Sequence, residues 1–238
     1  MKLSVLMPAY NEAATFERAL DAVLATPQEK EVIVVDDGST DGTRELIRRA
    51  GEEREVVRAL FHERNGGKGA AIRTALRAAT GDVVLIQDCD MEYDPADYEA
   101  LLAPIERGDA DVVFGTRSFG SHTSYSFWFV MGNKLVTLAT NLLFNCYISD
   151  METGYKVMRT EVARKLTLTA RGFELEPEIT GSLLNLGYRV YEVPINYRAR
   201  TREEGKKLTW VDGVRAIAML VRVRLRRPLD RRRAGLGG

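Results

Sequence analysis

Two aspartates one residue apart, Asp88 and Asp90, follow directly on the apolar run Val83-Val84-Leu85-Ile86-Gln87. Four branched aliphatics in succession after Gly81-Asp82 read as a strand buried on both faces, as in a helix-covered parallel sheet. In open α/β sheets, ligands bind beyond the carboxyl ends of the strands. Carboxylates placed there are hard oxygen ligands suited to Mg2+ or Mn2+ on a substrate diphosphate. Asp-x-Asp is also a common tripeptide that could serve merely to cap the helix after Pro95, and short motifs often match by chance. The loops after the other expected strands decide between the two.

Three such loops carry nucleotide-type residues. Pro8-Ala9-Tyr10-Asn11-Glu12 can hold a nucleobase through backbone groups and Glu12, or serve as a proline-broken turn with Asn11 as helix cap. Asp36-Asp37-Gly38-Ser39 offers carboxylates to ribose hydroxyls or a base edge, or forms an Asx turn. Asn65-Gly66-Gly67-Lys68-Gly69 can bring backbone amides and one cation to phosphates at a helix N-terminus. It lacks the P-loop spacing. Each loop is weak by itself; four on one sheet edge point to a nucleotide.

The elements that must position these loops alternate. Strands are expected at residues 3–7, 31–35, 56–61, 83–86 and 111–115, with helices after each of the first four. The first helix carries Phe16, Leu20, Val23 and Leu24 on one face, and Thr40 or Asp41 caps the second. Strands alternating with helices predict an α/β fold with a doubly wound, mostly parallel sheet and helices on both faces. After Thr116 the pattern changes. Residues 121–126 read as a polar loop, and 127–145 as a long apolar helix interrupted at Gly132-Asn133-Lys134. A short strand or helix starts at Val157, a helix spans 176–186, a strand 189–194, and an amphipathic helix 210–226. One domain over 1–226 is expected, with a nucleotide-binding half (1–116), an acceptor-binding half (117–226) and a basic, disordered tail (227–238).

Composition is that of a globular protein. The chain has 238 residues, 45% hydrophobic and 29% charged, with formal net charge +0. That balance gives no global field for nucleic acid. Cys89 and Cys146 form no disulfide framework and suit a reducing compartment. The first residues lack a signal-peptide pattern, and no run of about 18 apolar residues suggests a spanning helix. A cytoplasmic protein, or one bound peripherally to the inner membrane face, is the expectation.

Taken together, Pro8-Ala9-Tyr10-Asn11-Glu12, Val34-Val35-Asp36-Asp37-Gly38-Ser39-Thr40-Asp41, Asn65-Gly66-Gly67-Lys68-Gly69 and Asp88-Cys89-Asp90 resemble glycosyltransferase family 2 over roughly residues 1–117. The second half is similar to polyprenyl-phosphate (dolichol-phosphate) mannosyl- and glucosyltransferases. That likeness rests on Gly115-Thr116-Arg117, Asp150-Met151-Glu152-Thr153-Gly154-Tyr155-Lys156 and Glu204-Gly205-Lys206-Lys207. The resemblance implies a GT-A fold and inverting transfer of a hexose from a GDP- or UDP-sugar to a polyprenyl phosphate. It places Pro8, Ala9, Tyr10, Glu12, Asp37, Lys68, Asp88 and Cys89 around the nucleotide. Asp88 and Asp90, with Glu92 where relatives often carry glutamine, would bind Mg2+ or Mn2+. Arg117 would join the aspartates as a catalytic residue and meet the acceptor phosphate, with Arg200 and Lys206 beside it. Cys89 stands where alanine is more usual and reads as a space-filler.

Elementary chemistry agrees. A nucleoside-diphosphate leaving group needs its charge neutralised as the glycosidic bond breaks. A phosphate acceptor is largely ionised at pH 7 and needs positioning more than a base. Arg117, Arg200, Lys206 and Lys207 are the candidate cationic cradle. A hydroxyl of a soluble or polysaccharide acceptor would instead need a carboxylate base, for which Asp150, Glu152, Glu174, Glu176 and Glu178 are candidates. His62 and His122 receive no role. A sugar-nucleotide pyrophosphorylase would carry a Gly-rich, basic loop after its first strand, which is absent here. A catalytically dead binding protein would not need intact Asp88, Asp90 and Lys68.

The last predicted helix carries Val214, Ile217, Ala218, Leu220 and Val221 at helical spacing, amid Arg215, Arg222, Arg224, Arg226, Arg227 and Arg231-Arg232-Arg233. With the cluster Phe127-Trp128-Phe129-Val130, this reads as an anchor to an anionic membrane surface. Core packing with a solvated basic tail is the competing reading. A homo-oligomer is compatible with the sequence.

Overall fold

Strand β1 (Leu3–Ala9) sends Leu3, Val5, Met7 and Ala9 to one face of a sheet and Leu6 to the other, the two-residue period of a strand. The computed structural model describes residues 1–118, 127–199 and 210–226. Strand β2 (Lys30–Asp36) splits the same way, Val32 and Val34 against Ile33 and Val35. With β3 (Val57–Phe61), β4 (Val83–Ile86), β5 (Val112–Thr116), β6 (Lys156–Arg159) and β7 (Val190–Pro194) they form one sheet of order β3-β2-β1-β4-β6-β5-β7. Every pairing is parallel except those of β6, which runs antiparallel between β4 and β5.

Helices cover both faces, as expected. On one side α1 (Phe16–Leu24), α2 (Thr43–Glu53) and α4 (Tyr98–Glu106) contribute Phe16, Ile47 and Leu101 to the core. On the other, α3 (Lys68–Ala78), the short α6 (Thr160–Ala163) and α7 (Leu175–Asn185) contribute Ile72, Val162 and Ile179. Helices α5 (Phe127–Phe144) and α8 (Trp210–Leu225) share a smaller core of Val136, Ile148, Met151, Ala216 and Leu220. The doubly wound, mostly parallel α/β architecture is therefore present.

The differences from the sequence reading are local. No break occurs at Gly132-Asn133-Lys134; α5 runs straight through. A Cβ on Gly132 would meet nothing within 4 Å, so this glycine has no packing duty, and Asn133 turns its amide to Asp150. The segment starting near Val157 is a strand, and α4 is preceded by a 3-10 turn at Pro95–Asp97. Asp41 accepts the Thr43 backbone N–H and hydroxyl at the start of α2, with Gly42 left-handed before it. In α8, Leu220 is fully buried, so the apolar face inferred for it is divided between core and solvent. The expected loop at 121–126 with His122, the residues Arg200, Lys206 and Lys207, and the tail from Arg227 onward lie outside the described residues.

Topology sets up the site. Parallel pairing brings the ends of β1, β2, β3, β4 and β5 to one edge, and with them Tyr10, Asp37, His62, Asp88 and Arg117. Because β6 is antiparallel, its beginning lies on that edge. This carries Asp150 to Lys156 into the same region.

Candidate active site

Lys68 is the first residue of α3, and its ammonium lies 2.8 Å from Asp88 Oδ2 and 3.2 Å from Glu176 Oε1. Glu176 Oε2 accepts from Lys156 Nζ at 2.6 Å. Lys156 is fully buried, donates also to the carbonyls of Met151 and Thr153, and sits 4.9 Å from the centroid of the Phe114 ring. Four alternating charges thus run from the Asp-x-Asp loop to the interior. Burial acts to lower the Lys68 pKa, but Asp88 and Glu176 outweigh it and hold the ammonium above the ordinary lysine value. Burial likewise acts to raise Glu176, and Lys156 and Lys68 overcome it, keeping the carboxylate ionised.

The loop ahead of Lys68 is held from two sides. Gly67 has φ of 87°, and a Cβ there would come within 2.1 Å of the Arg171 carbonyl oxygen, so only glycine fits. The Gly69 N–H donates to that same carbonyl at 3.1 Å. From the other side Asp37, buried at the end of β2, accepts from the N–H of Gly66 and Gly67, the latter at 2.7 Å. His62 Nδ1 stands 2.6 Å from Asp37 Oδ1, and its Nε2 lies 3.0 Å from the Thr74 hydroxyl. Asp37 therefore shapes the glycine loop, and His62, which the sequence left without a role, braces it.

Beside it the first loop is laced to the second. The Asp37 N–H donates to the Ala9 carbonyl, Asn11 Oδ1 accepts from the Thr40 N–H, and the Asn11 N–H donates to Ser39 Oγ. Tyr10 is left 45% exposed, its ring available at the sheet edge. Glu12 accepts from the Thr15 hydroxyl at 2.9 Å and stands at the head of α1. Cys89 is buried and its sulfur faces the Pro8 carbonyl at 3.6 Å. Burial first, then Asp88 and other carboxylates, push its thiol up, as expected of a space-filler.

Asp88 and Asp90 lie on the turn after β4. Asp90 Oδ1 accepts from the Glu92 N–H at 3.1 Å, and Met91 between them has φ of 60°. A Cβ on Gly154 would meet the Tyr93 ring at 2.9 Å and Asp88 Oδ2 at 3.2 Å, so glycine there lets the start of β6 close on the Asp-x-Asp loop. Glu92 Oε2 accepts from the Tyr197 hydroxyl at 2.9 Å. Among the described residues no three His, Cys, Asp or Glu side chains converge as a metal-binding group. Two carboxylates still fit Mg2+ or Mn2+, which keep water and take substrate phosphates as further ligands.

Arg117, at the end of β5, is buried against Asp150. Its Nε and Nη2 reach the two carboxylate oxygens at 2.6 and 2.7 Å, and its guanidinium lies 5.0 Å from the centroid of the Tyr197 ring. Asn133 completes the Asp150 shell at 2.9 Å. Glu178 is equally occupied, accepting from the N–H groups of Thr169 and Ala170, each at 2.7 Å, and from Arg226. Three of the five carboxylates offered as bases are thus held by internal partners. Glu152 differs: it is partly buried, and desolvation foremost pushes its carboxyl up to about 7. Glu176 and Lys156 were not legible as a linked pair, since no spacing signal joins a strand residue to a helix residue twenty positions on.

Known proteins resemble this chain throughout. The low-salt glycan biosynthesis hexosyltransferase Agl6 of Haloferax volcanii is 27% identical over 226 residues, 92% of this chain and 53% of that protein. The glycosyltransferase AglJ of the same organism is 31% identical over 202 residues, 82% and 63% respectively. The chain therefore spans about half to two thirds of those two. It spans 87% of an undecaprenyl-phosphate mannosyltransferase from Micrococcus luteus, at 27% identity over 214 residues. Among solved structures, glucosyl-3-phosphoglycerate synthase from Mycobacterium tuberculosis, in complex with Mn2+, UDP and glucosyl-3-phosphoglycerate, superposes with a TM-score of 0.70. That match has 23% identity and covers 93% of this chain and 79% of the other, which establishes a shared GT-A fold. The sequence signature described as "Glycosyl transferase family 2" matches residues 4–167, and this chain belongs to that family.

Proposed function

We propose that the protein transfers a hexose from a GDP- or UDP-sugar to a polyprenyl phosphate, with inversion, at the cytosolic face of a membrane. The observation that carries the choice of acceptor is that three of the five candidate base carboxylates are already held by internal partners. Asp150, Glu176 and Glu178 are bound to Arg117, to two lysines and to backbone amides. A hydroxyl acceptor needs a carboxylate with a vacant lone pair and moderate basicity, whereas a phosphate arrives ionised and needs cations. The undecaprenyl-phosphate specificity in the name of the Micrococcus luteus relative supports the same reading.

In this reading Pro8, Ala9, Tyr10, Glu12 and Asp37 line the base and ribose region, Cys89 fills space behind Pro8, and Lys68 donates to the diphosphate. Asp88 and Asp90 would hold Mg2+ or Mn2+, with Glu92 near enough in sequence to assist. The Mycobacterium tuberculosis neighbour was solved with Mn2+ and with Mg2+ beside UDP, which supports divalent metal use. Bound there, the ion would supply positive charge for the departing diphosphate. Arg117 orients the acceptor phosphate. An acceptor oxygen attacks the anomeric carbon as the bond to the nucleoside diphosphate breaks, and the charge moves onto the diphosphate beside Lys68. Arg200 and Lys206 complete the cradle in the proposal and lie outside the described residues.

Membrane attachment rests on α5. Trp128, Met131, Leu135, Leu138 and Leu142 are all exposed at alternating spacings of three and four, a stripe along one helix face. Arg215, Arg222 and Arg224 are exposed on the adjoining α8. Among the described residues no helix is long and apolar enough to cross a membrane, so the stripe would lie in the interface.

Glu152 favours one other reading, transfer to a hydroxyl, because a carboxyl titrating near 7 suits a general base. The deciding experiment incubates the protein with GDP-mannose, UDP-glucose or UDP-N-acetylglucosamine and Mn2+ or Mg2+, against a short polyprenyl phosphate and the matching polyprenol. Product on the phosphate alone is expected. Product on the alcohol alone would replace the proposal with the hydroxyl reading.

A further inference from the structure

Asp88 does not face solvent alone; one of its carboxylate oxygens already holds a cation, Lys68 at 2.8 Å. Lys68 is shared in turn with Glu176 at 3.2 Å, and Glu176 with the buried Lys156 at 2.6 Å. We propose that Glu176 is a positioning residue that keeps Lys68 as an internal counter-cation of Asp88, released to the donor diphosphate when a divalent ion takes its place. The inference rests on the assignment of Asp88 and Asp90 as metal ligands.

Geometry gives each member a distinct duty. Lys68 leads α3, so its stem is anchored while its ammonium, with a side chain 30% exposed, can swing. Glu176 sits in the first turn of α7, on an element separate from the Asp-x-Asp loop, so its position does not depend on that loop's own turn. Lys156 occupies the inner oxygen of Glu176 and is fixed by the carbonyls of Met151 and Thr153. Glu176 therefore has one oxygen committed inward and one directed at Lys68. With Glu176 as a second partner, Lys68 can leave Asp88 without losing every counter-charge. Without it, Asp88 would be the remaining carboxylate bonded to Lys68, and the divalent ion would have to break a tighter pair.

The test measures Mn2+ binding by electron paramagnetic resonance, with and without UDP or GDP. It uses the whole chain, Lys68→Met, the charge-neutral pair Lys156→Met/Glu176→Gln, and the triple variant, with thermal unfolding to confirm folding. Lys68→Met should bind Mn2+ alone about tenfold more tightly and lose most of the tightening that a nucleoside diphosphate gives the unaltered protein. The charge-neutral pair should weaken Mn2+ binding several-fold, and this loss should vanish when Lys68 is also absent. An unchanged Mn2+ affinity in Lys68→Met would overturn the proposal, as would a loss that persists in the triple variant. Lys68→Met, at a partly exposed side chain, decides the matter if the buried pair does not fold. Absence of Mn2+ binding to the unaltered protein, even with nucleotide, would instead remove the metal assignment beneath it.

Discussion

The guanidinium of Arg117 and the carboxylate of Asp150 form a two-point pair at 2.6 and 2.7 Å, joining the end of β5 to the segment that leads into β6. Asp150 is 1% exposed and its pKa is held below the usual carboxylate range: burial acts to raise it, and Arg117 more than compensates. Removing one partner of a buried pair leaves an uncompensated charge, typically at a cost of about 3–5 kcal/mol. Arg117→Ala should therefore cost stability as well as acceptor binding. Arg117→Lys retains charge but loses the two-point fork. It should raise the acceptor KM or lower kcat and leave nucleotide affinity by calorimetry near its original value. Lost donor binding with normal acceptor kinetics would place the acceptor cradle elsewhere.

Asp90→Ala should abolish turnover and leave the fold intact, because Asp90 lies on a turn outside the strand core. Chelation of the unaltered protein with excess EDTA should have the same effect, reversed by Mn2+ or Mg2+. Full turnover in EDTA would end the metal assignment.

Glu152 makes stability depend on pH in a defined direction. Its carboxyl titrates near 7 in the folded chain, against 4.5 as its ordinary value. Between those values the native state binds more protons than the unfolded one, so this contribution is complete below 4.5 and is lost as pH rises through 7. Glu152→Gln should remove that slope. Unfolding free energies from urea titrations should match the unaltered protein near pH 4.5 and exceed it at pH 8 by on the order of 2 kcal/mol, allowing for partial exposure. Parallel curves at every pH would show that Glu152 ionises normally.

Binding to vesicles of anionic lipid should be salt-sensitive, since each Arg near such a surface contributes about 1 kcal/mol and is screened at high ionic strength. Leu135→Glu with Leu142→Glu, both on the exposed stripe of α5, should release the protein without unfolding it. Truncation should fall after Arg226, because Arg226 is bonded to Glu178 and Thr169. It should weaken sedimentation with anionic vesicles. Equal sedimentation with neutral and anionic vesicles in every variant would leave the stripe without this role.

Strand and helix order was legible because apolar period and loop chemistry are local. Residues 83–86 read as a doubly buried strand, and each is at most 3% exposed. The Asp-x-Asp, Asp-Asp-Gly-Ser and Gly-Gly-Lys-Gly motifs pointed to a nucleotide because hard oxygens, amides and a cation recur at strand ends. What no local pattern could declare was pairing. The antiparallel insertion of β6 brings Asp150 to Arg117 and Lys156 to Glu176. Asp37, which the sequence offers to a ribose or a base edge, also clamps the glycine loop, because β2 and β3 end side by side. Side-chain type and spacing are properties of the chain, but the counter-charge a carboxylate meets depends on which strands become neighbours. Only the assembled sheet decides that.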